Sequence, residues 1–325
     1  MHIIARGTGG LAAALLLSLP AWAQDVTPLR AATLETGTVN WELDTIKANG
    51  FDTANGFEMV MTPYADNGAT RVALAGGEAD VVVADWLWVA TQRAAGKDYV
   101  FIPYSTAVGG LMVPEGSDAE TLADLKDGKI GIAGGPVDKS WLILRAYAQQ
   151  EYGMDLATET EQVFGAPPLI MKSALSGETD GAINFWHFMA KMKAAGMREL
   201  VSVDTAAEAL GLDPETPLLG YVVTGEYARA HPEVMEGLAK ASVAAKDLLS
   251  TDDAAWEALR PSMNADDDAQ FAALKEGWIA GIPASMEVDE AAAAKMFDLM
   301  AQLGGPELVG DAGTMPEGVF YPLSF

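Results

Sequence analysis

Four of the eight tryptophans, Trp41, Trp86, Trp141 and Trp186, fall where a strand pattern gives way to a helix pattern. An indole at such a junction can present a flat face to a ligand, and stacking contributes about 0.5–1.5 kcal/mol per aromatic pair beyond buried area. Trp88 is expected to face the core, and Trp256 and Trp278 to serve packing. The segment Gly134-Gly-Pro-Val-Asp-Lys-Ser-Trp141 brings Lys139 and Ser140 to a helix start, where backbone amides and the dipole favour anions, with Asp138 as N-cap. It lacks the Gly-Lys-Ser/Thr order of a phosphate-binding loop. Thr36, Thr38 and Asn40 in the first loop, and Asn184 and His187 in a later one, add neutral hydrogen-bonding groups. Asp85 can bind a donor or cap the helix opened by Trp86, and Arg71 can reach a cleft or form a surface ion pair. No Ser-His-Asp spacing or carboxylate pair falls on converging loops, so this inventory describes binding and not catalysis.

The elements that must carry these residues alternate. Strand patterns at 29–34, 57–64, 79–84 and 129–133 are separated by helix patterns, which predicts α/β architecture with mostly parallel sheets and ligand loops at the strands' carboxyl ends. An internal repeat sharpens this. Gly77-Glu-Ala-Asp-Val-Val-Val-Ala-Asp-Trp86 and Gly177-Glu-Thr-Asp-Gly-Ala-Ile-Asn-Phe-Trp186 stand 100 residues apart, and both run on to Ala-Ala-Gly. Each reads as helix end, tight turn, buried strand and Trp-led helix, one copy per lobe. The predicted division places residues 24–107 and 225–325 in a first lobe and 108–224 in a second. Crossings are expected near 105–110 and 219–225, with the helical tail packed on the first lobe.

Composition narrows the classes further. The chain has 325 residues, with 46 acidic against 20 basic side chains and a net charge of −26. That field repels nucleic acid and anionic membranes. With no cysteine there is no thiolate nucleophile, disulfide or Cys-ligated metal. His187 and His231 are too far apart in sequence to suggest a metal site, and the Asp252-Asp253 and Asp266-Asp267-Asp268 runs lack calcium-loop spacing. Residues 1–23, with Arg6, the apolar run 11–19 and Ala21-Trp22-Ala23, read as a secretory signal peptide, placing the mature chain in the periplasm.

The export signal, the Glu35-Thr-Gly-Thr-Val-Asn-Trp41 loop, Leu74-Ala-Gly-Gly-Glu-Ala-Asp80, and Val108-Gly-Gly-Leu-Met-Val113 followed by Leu122-Ala-Asp-Leu-Lys-Asp-Gly-Lys-Ile-Gly-Ile132 resemble the periplasmic substrate-binding proteins of ABC importers. The similar group is that of nitrate, taurine, alkanesulfonate and thiamine-precursor binders. The resemblance implies a type II, two-lobed Venus-flytrap fold, a small-molecule ligand, an ABC permease as partner, and a monomer without catalytic cofactor. Four facing indoles beside Lys139 suit a planar polyanion, and pyrroloquinoline quinone is the expected ligand, with Lys139 placed to add to a quinone carbonyl. A periplasmic dehydrogenase would then be a further partner. The alternatives are an alkanesulfonate, taurine or aromatic sulfonate carrier, a cofactor chaperone, or an enzyme like the thiamine-pyrimidine synthases, whose His and Cys residues are missing here.

Overall fold

The computed structural model describes residues 26–324, so the expected signal peptide over 1–23 lies outside the described residues. The first lobe starts with β1 (Thr27–Leu34), α1 (Val39–Ala48), α2 (Phe51–Ala54), β2 (Phe57–Tyr64), α3 (Asn67–Gly76), β3 (Val81–Asp85), α4 (Trp86–Ala94) and β4 (Tyr99–Ser105). The second holds β5 (Gly110–Pro114), β6 (Lys129–Ala133), α5 (Lys139–Tyr152), α6 (Leu156–Glu159), β7 (Glu161–Gly165), α7 (Pro167–Leu175), β8 (Gly181–Asn184), α8 (Trp186–Ala194), β9 (Met197–Ser202) and α9 (Val203–Ala209). The chain ends through β10 (Leu219–Thr224), α10 (Gly225–Ala230), α11 (Pro232–Thr251), α12 (Asp253–Leu259), α13 (Asp268–Ala280) and α14 (Glu290–Val309).

The two sheets have the same plan, β2-β1-β3-β10-β4 and β7-β6-β8-β5-β9. In each, one strand runs against the rest: β10 is antiparallel to β3 and β4, and β5 to β8 and β9. The sequence repeat falls on matching places, β3 with α4 and β8 with α8, and its turn has a physical role. The Asp80 carboxylate accepts from the Arg30 amide at 2.9 Å, and Asp180 accepts from the Lys129 amide at 2.7 Å, each tying the turn to the neighbouring strand. Gly77 and Gly177 end the preceding helices at φ of 74° and 75°, a left-handed conformation that favours glycine. Helix α3 is capped by Asp66, which accepts from the Ala69 amide, and Asn67 is its first helical residue.

The first crossing runs from β4 to β5. Its Gly109-Gly110 pair is a close approach, since a Cβ on Gly109 would stand 2.2 Å from the Asn184 carbonyl oxygen and one on Gly110 2.9 Å from that of Val201. The second crossing lies earlier than expected. Because β10 belongs to the first sheet, the second lobe ends before Leu219 and the return falls between α9 and β10. The tail also departs from expectation. Helix α11 packs on α1 and α2 of the first lobe, but α13 lies against α8, and α14 touches both α4 and α5. Apolar surface on the second lobe is thus covered by residues from the far end of the chain.

Beneath the first lobe's cleft surface, Glu42 is fully buried and accepts from Tyr221 at 2.7 Å, from Ser242 at 2.6 Å and from the Lys246 ammonium. Burial lowers the Lys246 pKa while Glu42 opposes that shift. A buried charge survives where hydrogen bonds satisfy it. Lys246 also lies 4.8 Å from the Tyr104 ring centroid, so this ion pair supports an aromatic floor of the cleft.

Candidate functional site

A cavity of about 540 Å³ opens between the lobes, within the range of small-ligand sites. Helix starts line it: Thr38 and Val39 of α1, Asn67 and Arg71 of α3, Asp85 before α4, Lys139 and Ser140 of α5, Pro167 and Pro168 of α7, and Phe185 to Phe188 at α8. These helices follow the carboxyl ends of parallel strands, so the topology itself aims their positive ends at one space. No side chain caps α1 or α8. Helices α4 and α5 are capped from within, as the Trp88 amide donates to Asp85 at 2.9 Å and the Trp141 amide to Asp138 at 3.0 Å.

The charged centre straddles the cleft. Asp85 of the first lobe meets Lys139 of the second at 3.4 Å and Arg71 at 3.9 Å. Burial pushes the Asp85 carboxyl up, but Lys139, the Trp88 amide and Arg71 together outweigh this and hold it below the usual range. Asp138 is shifted the other way, raised by burial against the opposing Trp141 amide. Arg71 lies 4.5 Å from the Trp88 ring centroid, and its Nε is buried without a partner. Trp88 is half-buried, packs against the core as expected and stacks on Tyr99 at 5.4 Å, which leaves its ring as a platform beneath Arg71. Tyr104 forms part of the floor, its hydroxyl accepting from the Trp278 indole at 3.0 Å. Burial pushes the His187 pKa down to about 4, with Lys191 adding to the shift, which leaves a neutral ring in the cleft at neutral pH.

Of the expected site residues, Thr36, Thr38, Asp85, Lys139, Ser140, Trp186 and His187 line the cavity. Asn40, Trp41, Trp86, Trp141 and Asn184 do not. Asn40 donates to the Leu34 carbonyl at 2.8 Å and pins the first loop. Asn184 donates to the Pro167 carbonyl at 3.0 Å and accepts from the Phe185 amide at 2.9 Å, holding the β8–α8 turn. The facing-indole expectation is corrected for three of four rings. Trp86 is 0% exposed and packs on Phe320, which the carboxyl-terminal segment brings alongside β4 through Phe101 and Val319. Trp141 is 2% exposed and meets Phe164, and Trp41 is 3% exposed in a cluster with Trp256. At the third helical position, Trp41 and Trp141 bury against their own lobes. Trp186 alone among the four lines the cleft, and the flanking Phe185 and Phe188, which the sequence reading passed over, supply aromatic surface beside it. Their signal was the uninterrupted run Phe185-Trp186-His187-Phe188. Lys139 engages a carboxylate, an ion-pair geometry and not that of a free amine nucleophile.

Among the described residues, no group of three or more His, Asp or Glu side chains is arranged to hold a metal ion, and no helix is long and apolar enough to cross a membrane.

Residues 45–253, well over half of the chain, match the family model described as NMT1/THI5 like. No curated protein matches by sequence. Among solved structures, the fold is shared with the periplasmic aliphatic sulphonate binding protein SsuA from Escherichia coli, at TM-score 0.72 and 17% identity, over 91% of this chain and 92% of that one. The alkanesulfonate-binding protein SsuA from Xanthomonas axonopodis pv. citri, bound to MOPS, superposes at TM-score 0.66 and 17% identity, over 91% and 98% of the two chains. A DszB mutant in complex with biphenyl-2-sulfinic acid gives 0.56 at 14% identity, over 90% and 98%.

Proposed function

The chain belongs to the NMT1/THI5-like family, and from that premise we propose that it is the periplasmic substrate-binding protein of an ABC importer, closing its lobes over a small organic monoanion of the sulfonate class. The observation that carries this reading is the charged centre of the cleft. Lys139 and Arg71 reach one shared carboxylate from opposite lobes, while α1 and α8 start without side-chain caps. An anion seated there gains two cations and two helix starts, and it bridges the lobes, so its binding energy favours the closed state. Phe185, Trp186, Phe188 and the two prolines give an apolar wall for an organic tail. No step in this role alters the ligand.

Pyrroloquinoline quinone fits this cleft less well. Its support was a set of opposed indoles, of which the cavity retains one, and its three carboxylates would meet a site where Arg71 and Lys139 are already offset by Asp85 and Asp138. The sulfonate reading also agrees with the ligands named for the two SsuA structures. Calorimetric titration of the purified mature chain with taurine, ethanesulfonate and pentanesulfonate, and separately with the quinone, decides between them. The expected result is micromolar sulfonate binding, weakened at least tenfold in Lys139→Met and in Arg71→Gln, since a hydrogen bond to a charged group contributes about 1.5–3 kcal/mol. Binding of the quinone but of no sulfonate would overturn the proposal.

A further inference from the structure

Gly277 occupies the interior of α13, a helix of 13 residues, where glycine costs about 0.5–1 kcal/mol relative to alanine. Its backbone is helical and requires no glycine. The reason is instead a neighbour: a Cβ added at Gly277 would stand 3.0 Å from Cε3 and 3.2 Å from Cζ3 of Trp186. Trp186 opens α8 in the second lobe, whereas α13 is fastened to the first lobe and to the crossing between lobes. Trp278 donates to Tyr104 of β4, and the Gly281 carbonyl accepts from the Thr106 amide at 2.9 Å and from Ser105 at 3.1 Å. The same indole meets Trp41 of α1 edge-on, with centroids 6.1 Å apart and planes at 88°, and also lines the cavity.

We propose that the seating of the Trp186 ring on the bare backbone of Gly277 sets how far the two lobes close, making Trp186 a positioning residue and Gly277 its notch. Gly277 does not line the cavity, so a side chain there acts on closure without touching a ligand. At 3.0–3.2 Å an added Cβ would have to push the half-buried Trp186 ring aside by a few tenths of an ångström, and a longer branch by more. Around it, Lys193 pairs with Glu276 at 3.6 Å and Lys191 donates to the Asn264 carbonyl, so α8 is held to the tail on both sides of the notch.

The chain's freedom from cysteine permits a direct test without ligand. Val72→Cys in α3 and Leu169→Cys in α7 place spin labels on exposed positions of opposite lobes, 72% and 59% accessible in the native chain. Pulsed dipolar spectroscopy of the doubly labelled chain should show the shortest inter-label distance populated, the limit of closure, lengthened in Gly277→Leu and to a smaller degree in Gly277→Ala. Adding Trp186→Ala to either variant should return the distance to the parent value. Unchanged distances in both glycine variants would overturn the proposal, as would a lengthening that Trp186→Ala fails to reverse. Because no ligand enters the measurement, failure of the sulfonate reading would leave this result interpretable on its own.

Discussion

Asp85 is the residue on which the cleft's electrostatics turn. It caps α4 and neutralises part of the field of Lys139 and Arg71. In Asp85→Asn the cap survives, because Asn and Asp are comparable N-caps, and the cations are released. Calorimetry should therefore show about tenfold tighter sulfonate binding with a stability change below ~1 kcal/mol. His187 gives a pH dependence of defined sign. Its folded pKa, near 4, lies below the ordinary histidine value of about 6.5, so the unfolded chain binds the extra proton and stability falls as pH drops through that interval. Urea midpoints at pH 7 and pH 5 should differ more in the parent than in His187→Gln. Seven of the expected residues line the cavity because loops after parallel strands must face the cleft. The direction in which a helix-opening indole turns is decided by what the rest of the chain lays over it, and no local pattern encodes that.

The repeated unit of β3 with α4 and β8 with α8 was legible because its turn chemistry is local. The Gly-Glu-x-Asp sequence supplies a left-handed helix end and a carboxylate for the adjacent strand within four residues. The unequal fates of Trp86 and Trp186 were not legible, since Phe320, which covers Trp86, lies more than two hundred residues further on. Truncation of such a fully buried ring costs about 3–5 kcal/mol. Trp86→Ala should lower the thermal midpoint markedly and leave sulfonate affinity unchanged in the folded fraction, whereas Trp186→Ala should do the reverse. Equal effects on binding would assign Trp86 a role its burial does not support. The ion pair between α1 and α11 behaves as a unit as well. Lys246→Met leaves Glu42 charged and buried, which costs about 3–5 kcal/mol, and denaturant unfolding measures it.

At the scale of the whole molecule, α/β architecture followed from the alternation of short strands and helices, and its two-lobed form from the internal repeat and the family resemblance. The second crossing was misplaced because β10 reads as any buried strand, Leu-Gly-Tyr-Val-Val-Thr, and a run of this kind carries no mark of the sheet it joins. The tail was misassigned for a related reason. Its Ala-rich helices have weak amphipathic stripes, so the sequence did not show that α13 and α14 would lean on the second lobe.

The position of β10 has a consequence for how the chain matures. Strand β4 has β10 as its sheet neighbour, and β10 is also what joins β4 to β3. A nascent chain that has emerged as far as residue 218 already contains all five strands of the second sheet, but the first sheet is still two unconnected pieces. Distant pairings of this sort are slow to form, and unpaired margins invite association with other chains. The later-made sheet is therefore the one whose strands can all pair first, and β1 to β4 must wait as an open template until their missing strand arrives.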